Sequence, residues 1–245
     1  MKISENLTLQ YFIGISLIGL FYLPAMVFFG TASANPPWQK YLIFSIFGLI
    51  CLLGIIAGVF PSKCLKTTKK KTQNIMDIEF KGHHPDCGNF SGHVLHLANK
   101  TCCVGCTGLT IGAILSISGT LLYLTNKLPY NGTMVFWLGF VGVLFGLMKN
   151  RLFKKRLKFL DLFLNVIFVL GAFMLLIGIE KINGNLLIEV YLLILILTWI
   201  ITRTLSSQKE HKRICELCNL KKCKPSSYPT KKTWSDKNGL LSKMR

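Results

Sequence analysis

Acidic side chains are scarce in this sequence of 245 residues, with 10 Asp and Glu against 29 Lys and Arg. Charge of either sign is missing altogether from long stretches, because the charged residues are bunched. A soluble domain of this size interrupts its apolar runs with charge far more often, so that class is set aside. The chain also lacks a nucleophile triad, a phosphate-binding glycine loop and a paired-carboxylate constellation, which removes hydrolase and kinase chemistry. Its apolar runs have no strict alternation, which excludes the strands of a membrane barrel. Polar residues are few inside those runs, with Asn165 the main one. Transporters carry polar groups near the bilayer midplane, so transport is the weakest functional reading.

What is present is apolar and basic. Hydrophobic residues make up 51% of the chain, and the mean hydropathy is +0.47. An unpaired charge at a bilayer centre costs roughly 2.5–3.5 kcal/mol on insertion scales, so long uncharged runs mark membrane spans. A net charge of +19 could suit a nucleic-acid partner. Basic flanks lying against anionic headgroups account for it better, which makes the lipid bilayer the expected partner.

A spanning helix needs roughly 17–25 mostly apolar residues. The runs Leu9–Gly30, Tyr41–Phe60, Thr107–Thr125, Thr133–Met148, Phe159–Ile179 and Leu186–Thr202 qualify or nearly do. They predict an all-α, polytopic transmembrane bundle of about six spans. The organisation follows: a hairpin of two spans over 1–60, a polar loop over 61–106, four spans over 107–203 and a basic tail over 204–245. All the basic residues except Lys40, Lys127 and Lys181 fall on one side of this arrangement. The positive-inside rule makes that side cytoplasmic, with both termini and the 61–105 loop, in a multi-pass cell-membrane protein. Ala32-Ser33-Ala34 resembles a cleavage site. The first apolar stretch is longer than a signal peptide requires, and a retained span is expected.

Gly108, Gly112 and Ser116 in the third span, and Gly142 and Gly146 in the fourth, form stripes at helical spacing. They predict packing seams between spans. Asp161 lies one turn from Lys158, which suggests a surface pair. Glu189, one or two turns inside the sixth span, could line a water-filled cavity, but reads better as an interfacial carboxylate reaching headgroup water.

The cysteines and histidines are concentrated in two segments. The loop carries His83, His84, Cys87, His93, His96, Cys102, Cys103 and Cys106, and the tail carries His211, Cys215, Cys218 and Cys223. Only Cys51 and Cys64 of the nine cysteines lie elsewhere. Zinc takes tetrahedral sulfur and nitrogen ligands, commonly offered as C-x2-C pairs. Cys103/Cys106 and Cys215/Cys218 have that spacing, and the topology puts both pairs on one face. The first pair begins a helix, where a lowered thiol pKa favours the thiolate a metal needs. The candidate ligands are therefore His83, His84, His93, His96 and His211 with Cys87, Cys103, Cys106, Cys215, Cys218 and Cys223. One arrangement closes a loop site from Cys87, Cys103 and Cys106 with His84 or another loop histidine, beside a tail site from His211, Cys215, Cys218 and Cys223. The other joins the two C-x2-C pairs in one four-cysteine site. The tail supplies four ligands by itself, which leans towards the first.

The stretch Cys103-x-Gly105-Cys106-Thr107-Gly108-x-x-x-Gly112 resembles the membrane protein family known as domain of unknown function 2085. Members of that family pair a Cys-His near a Pro and a Phe with a later C-x-R-C-T-G leading into a span. His83, Pro85 and Phe90 fall near the matching places, Gly82 stands where the first cysteine would be, and Gly105 replaces the arginine. The resemblance covers roughly residues 82–125 and implies a multi-span membrane protein with clustered ligands and no established activity.

Three functions fit these features. Zinc could order a cytoplasmic cap that docks a protein partner. A metalloenzyme on a lipid-like or quinone-like substrate would keep a coordination position open for water, with Asp86 or a spare histidine as acid/base. A C-x2-C at a helix start also suits thiol–disulfide exchange, although the reducing cytosol counts against it.

Overall fold

A computed structural model of the chain describes residues 2–31, 36–59, 80–81, 84–85, 93–97, 100–125, 131–152 and 157–216. Within them lie six helices: α1 (Lys2–Phe29), α2 (Pro37–Val59), α3 (Val104–Leu124), α4 (Gly132–Leu152), α5 (Lys158–Ile182) and α6 (Leu186–Glu216). All six are long and apolar enough to cross a membrane. Helices satisfy every backbone polar group internally, which lipid demands. For the same reason Pro24 is tolerated inside α1, where neighbouring spans can compensate for its missing donor. The fold is therefore the expected transmembrane helical bundle.

Exposed apolar rows confirm which surface meets lipid. On α2, Leu42, Leu49, Leu52, Leu53 and Ile56 point outwards, with Trp38 and Tyr41 at its start. Such a surface would drive aggregation in water and is the ordinary face of a span in a bilayer. Aromatics near a span end match the interfacial belt.

The most enclosed helix is α5: 61% of its apolar window is buried, against 22% for α2. It packs between α3 and α4, while α2 lies on α3 and α1 runs antiparallel to α6. Small residues make this possible. A Cβ on Gly139 would come within 2.7 Å of Gly171 O, and one on Gly108 within 2.7 Å of Leu162 O. Gly112, Gly142 and Gly146 also abut α5. Both glycine stripes are packing seams against the central helix, as their spacing predicts.

Large side chains fill the remaining interior, among them Phe44, Phe47, Phe136, Leu175, Leu192 and Trp199. The α1–α6 contact is also held by polar bonds. Ser16 and Thr202 share a hydrogen bond of 2.8 Å, and Trp199 donates to Ser16 O at 3.3 Å.

Two short antiparallel ribbons lie in the loop between α2 and α3. Strands β1 (Phe80–Lys81) and β2 (His84–Pro85) pair Lys81 with His84. Strands β3 (Val94–Leu97) and β4 (Lys100–Cys103) pair Val94 with Cys103 and His96 with Thr101. The second ribbon runs directly into α3, so it sits at the same end of the bundle as the close of α4, the start of α5 and the close of α6.

Candidate functional site at the loop end of the bundle

Four separate segments bring ionisable groups to that end. The sixth helix continues past its apolar stretch for about four turns, to Glu216. Arg203, Ser207, Glu210 and His211 recur on it at helical spacing and form one face. The last turns of α4 supply Lys149, and the first turns of α5 supply Asp161 and Asn165. The β3–β4 ribbon contributes His93 just before β3 and Cys103 at the end of β4.

The deepest layer is a polar network. Lys149 and Asp161 form an ion pair of 3.2 Å, and both are buried. Taking two charges out of water costs several kcal/mol each, so such a pair is stable only when closely matched and further bonded. Asn165 donates to Asp161 O at 2.6 Å and accepts from the Arg203 guanidinium. Arg203 also donates to Gly146 O at 3.4 Å and lies beside the Phe168 ring. One carboxylate, one amide and two cations thus tie α4, α5 and α6 together.

Above this layer is a small cavity of about 50 Å³, lined by His93, Cys103, Val104, Gly105, Lys149, Asp161, Arg203, Ser207, Glu210 and His211. A single water needs roughly 10–15 Å³ on this measure, so the space suits an ion with a few waters and not a bulky substrate. Over it, the His93 and His211 rings stand edge to face with centroids 5.8 Å apart, and both side chains are buried. Cys103 caps α3 in an extended conformation, and the Thr107 hydroxyl donates to its carbonyl at 2.9 Å.

Of the residues that the sequence offered as ligands, His93, Cys103 and His211 therefore line one cavity. Cys106 lies half-buried in the first turn of α3 and is not among the lining residues. His84 and His96 are placed in β2 and β3, and Cys215 in the last turn of α6. His83, Cys87, Cys218 and Cys223 lie outside the described residues. Among the described residues, no three His, Cys, Asp or Glu side chains are arranged as a ready metal site. Neither expected arrangement put a loop histidine against His211, yet that is the contact the fold makes.

Two readings of single residues are corrected. Asp161 does not form a surface pair with Lys158; it turns inwards, because Lys149 from α4 closes on it inside the bundle. Glu189 does not reach headgroup water; it is fully buried and accepts from Gln39 at 2.9 Å. Sequence reasoning also passed over Lys149, Arg203, Ser207 and Glu210. The signal for the last three was available, since with His211 they repeat on one face of a single helix. Lys149 has no such signal, since its partner comes from another helix. No family model matches this chain, and no curated protein or solved structure matches it either.

Proposed function

We propose that this chain is a multi-pass protein of the cell membrane, with both termini cytoplasmic, whose Cys/His cap is pinned to the bundle by Zn²⁺. The carrying observation is the approach of His93 and His211, from segments far apart in sequence, over a cavity that also holds Cys103. Two imidazoles on one tetrahedral ion, at metal–nitrogen distances of about 2.0–2.1 Å, place their ring centroids about 5 Å apart. The observed 5.8 Å lies close to that separation. His93, His211 and Cys103 line the same cavity and carry the donor types that zinc favours, two imidazole nitrogens and a sulfur, which the ion would draw together. The remaining donor comes from the loop or tail cysteines. The zinc closes the cap over the ion-paired layer and presents a shaped cytoplasmic surface to a protein partner.

Metal content and X-ray absorption on purified protein test this reading. Wild type carries about one zinc per chain with mixed nitrogen and sulfur ligands. His93→Ala and His211→Ala each lose most of it while helicity is retained. Folded wild type that holds no metal, or variants that hold it unchanged, overturn the proposal. A water among four ligands would move the reading to the metalloenzyme acting on a lipid-like substrate.

A further inference from the structure

The opposite end of the bundle holds a second unusual group. The α5–α6 turn passes through Asn183 and Gly184, with Gly184 at a φ of 65° that a glycine adopts without strain. Glu189 follows in the first turn of α6 and is 0% exposed. Its Oε2 accepts from Gln39 on α2 at 2.9 Å, and the same amide nitrogen donates to Gly184 O at 3.0 Å. Asn183 is also buried and donates to Val27 O and Gly30 O at the end of α1, both at 3.1 Å. These bonds leave two buried oxygens with no hydrogen-bond partner, Glu189 Oε1 and Asn183 Oδ1.

Buried oxygens in a span are bonded as a rule, because an unsatisfied one in a low-dielectric interior is costly. The titratable groups that the neighbouring elements carry at this end of the bundle are Tyr22, Lys40, Tyr41, Tyr123, Glu180, Lys181 and Tyr191. None of them bonds to Glu189, and Glu180 acts on it as a like charge. Glu180 is itself engaged by the Tyr123 hydroxyl, and Lys40 lies over the Tyr123 ring at 4.1 Å. The start of α6 favours a carboxylate through its partial positive charge but supplies no full unit of charge. The missing component is therefore one small positive charge with an appetite for oxygen. Carboxylate, amide and carbonyl oxygens are the donors that hard cations take.

We propose that Glu189 and Asn183 form a site for one monovalent cation, which is independent of any metal at the Cys/His end. That cation is either a sodium-sized ion or a proton, and the test separates the two. Thermal unfolding of purified wild type, Glu189→Gln and Asn183→Ala is followed in sodium, potassium and N-methylglucamine chlorides at equal ionic strength, from pH 5 to pH 8. If a metal cation is the ligand, the wild-type melting temperature at pH 8 rises by several degrees in sodium over N-methylglucamine. Asn183→Ala weakens that rise and Glu189→Gln abolishes it. If a proton is the ligand, the wild type gains several degrees as pH falls, whatever the salt, and Glu189→Gln loses that gain. Infrared spectroscopy of wild type alone then shows the carbonyl band of a protonated, buried carboxylic acid, so a poorly folding variant does not block the test. Wild type and Glu189→Gln with the same response to both salt and pH, and no such band, overturn the proposal.

Discussion

At the loop end, Lys149 and Asp161 neutralise one another inside the bundle, and Arg203 is fixed by Asn165 and the Gly146 carbonyl. At the opposite end, Glu189 is buried with only an amide, Gln39, bonded to it. The first end pairs its carboxylate with a cation from a neighbouring helix; the second leaves a carboxylate to be balanced from outside. The difference predicts where each end is brittle. Removing a partner from a buried ion pair strands the other charge, whereas removing the neutral Gln39 donor costs its two hydrogen bonds.

The largest expected effect is therefore at Asp161. Asp161→Ala removes the carboxylate paired with the buried Lys149 ammonium, at a cost of about 3–5 kcal/mol. Unfolding in mixed micelles, followed by circular dichroism, measures it. The double variant Lys149→Met with Asp161→Leu recovers most of the loss, since buried pairs are often replaceable by apolar residues of similar volume. A double variant as unstable as Asp161→Ala would show that the layer is held by more than charge balance.

That network also marks the boundary of what the sequence can tell. The spans were legible because charge is so thoroughly excluded from them, and the glycine stripes because their period is that of a helix. The gathering of cysteines and histidines in two segments was legible as well, and His93, Cys103 and His211 do share a cavity. Partners across helices were not. Asp161 has Lys158 three residues away and Lys149 on another helix, and nothing local says which one it meets. Packing decides it, through glycines at 108, 142 and 146 that let α3 and α4 close on α5. Glu189 was misread for a related reason. Its place near a helix start suggests an interface, but Gln39 of α2 and the residues of the α5–α6 turn fold over it.

A smaller effect is expected at Gln39. Gln39→Leu removes the donor shared by Glu189 and Gly184 O, and an acceptor left unsatisfied costs about 1–3 kcal/mol. The same unfolding assay reads it. The loss should stay below that of Asp161→Ala; a larger one would reverse the comparison and make the Glu189 end the main anchor. Gln39→Glu sharpens it further, because a second carboxylate beside Glu189 adds like-charge repulsion to the lost donor.

The smallest effect lies on the α1–α6 seam, away from the Glu189 turn. There Ser16 and Thr202 exchange a single hydrogen bond of 2.8 Å, with neither partner charged. Hydrogen bonds between spans average about 0.6 kcal/mol in double-mutant cycles, because the unfolded chain in the membrane finds substitutes. Thr202 has such substitutes already, with Thr198 O at 2.8 Å and Phe12 O at 3.3 Å. Ser16→Ala should therefore cost no more than about 0.6 kcal/mol. A Ser16→Ala, Thr202→Val cycle should return a coupling of the same order. A coupling near that of the Lys149–Asp161 pair would mean that neutral bonds across this seam hold the helices as firmly as buried charge does, and the contrast between charged and uncharged contacts would fall.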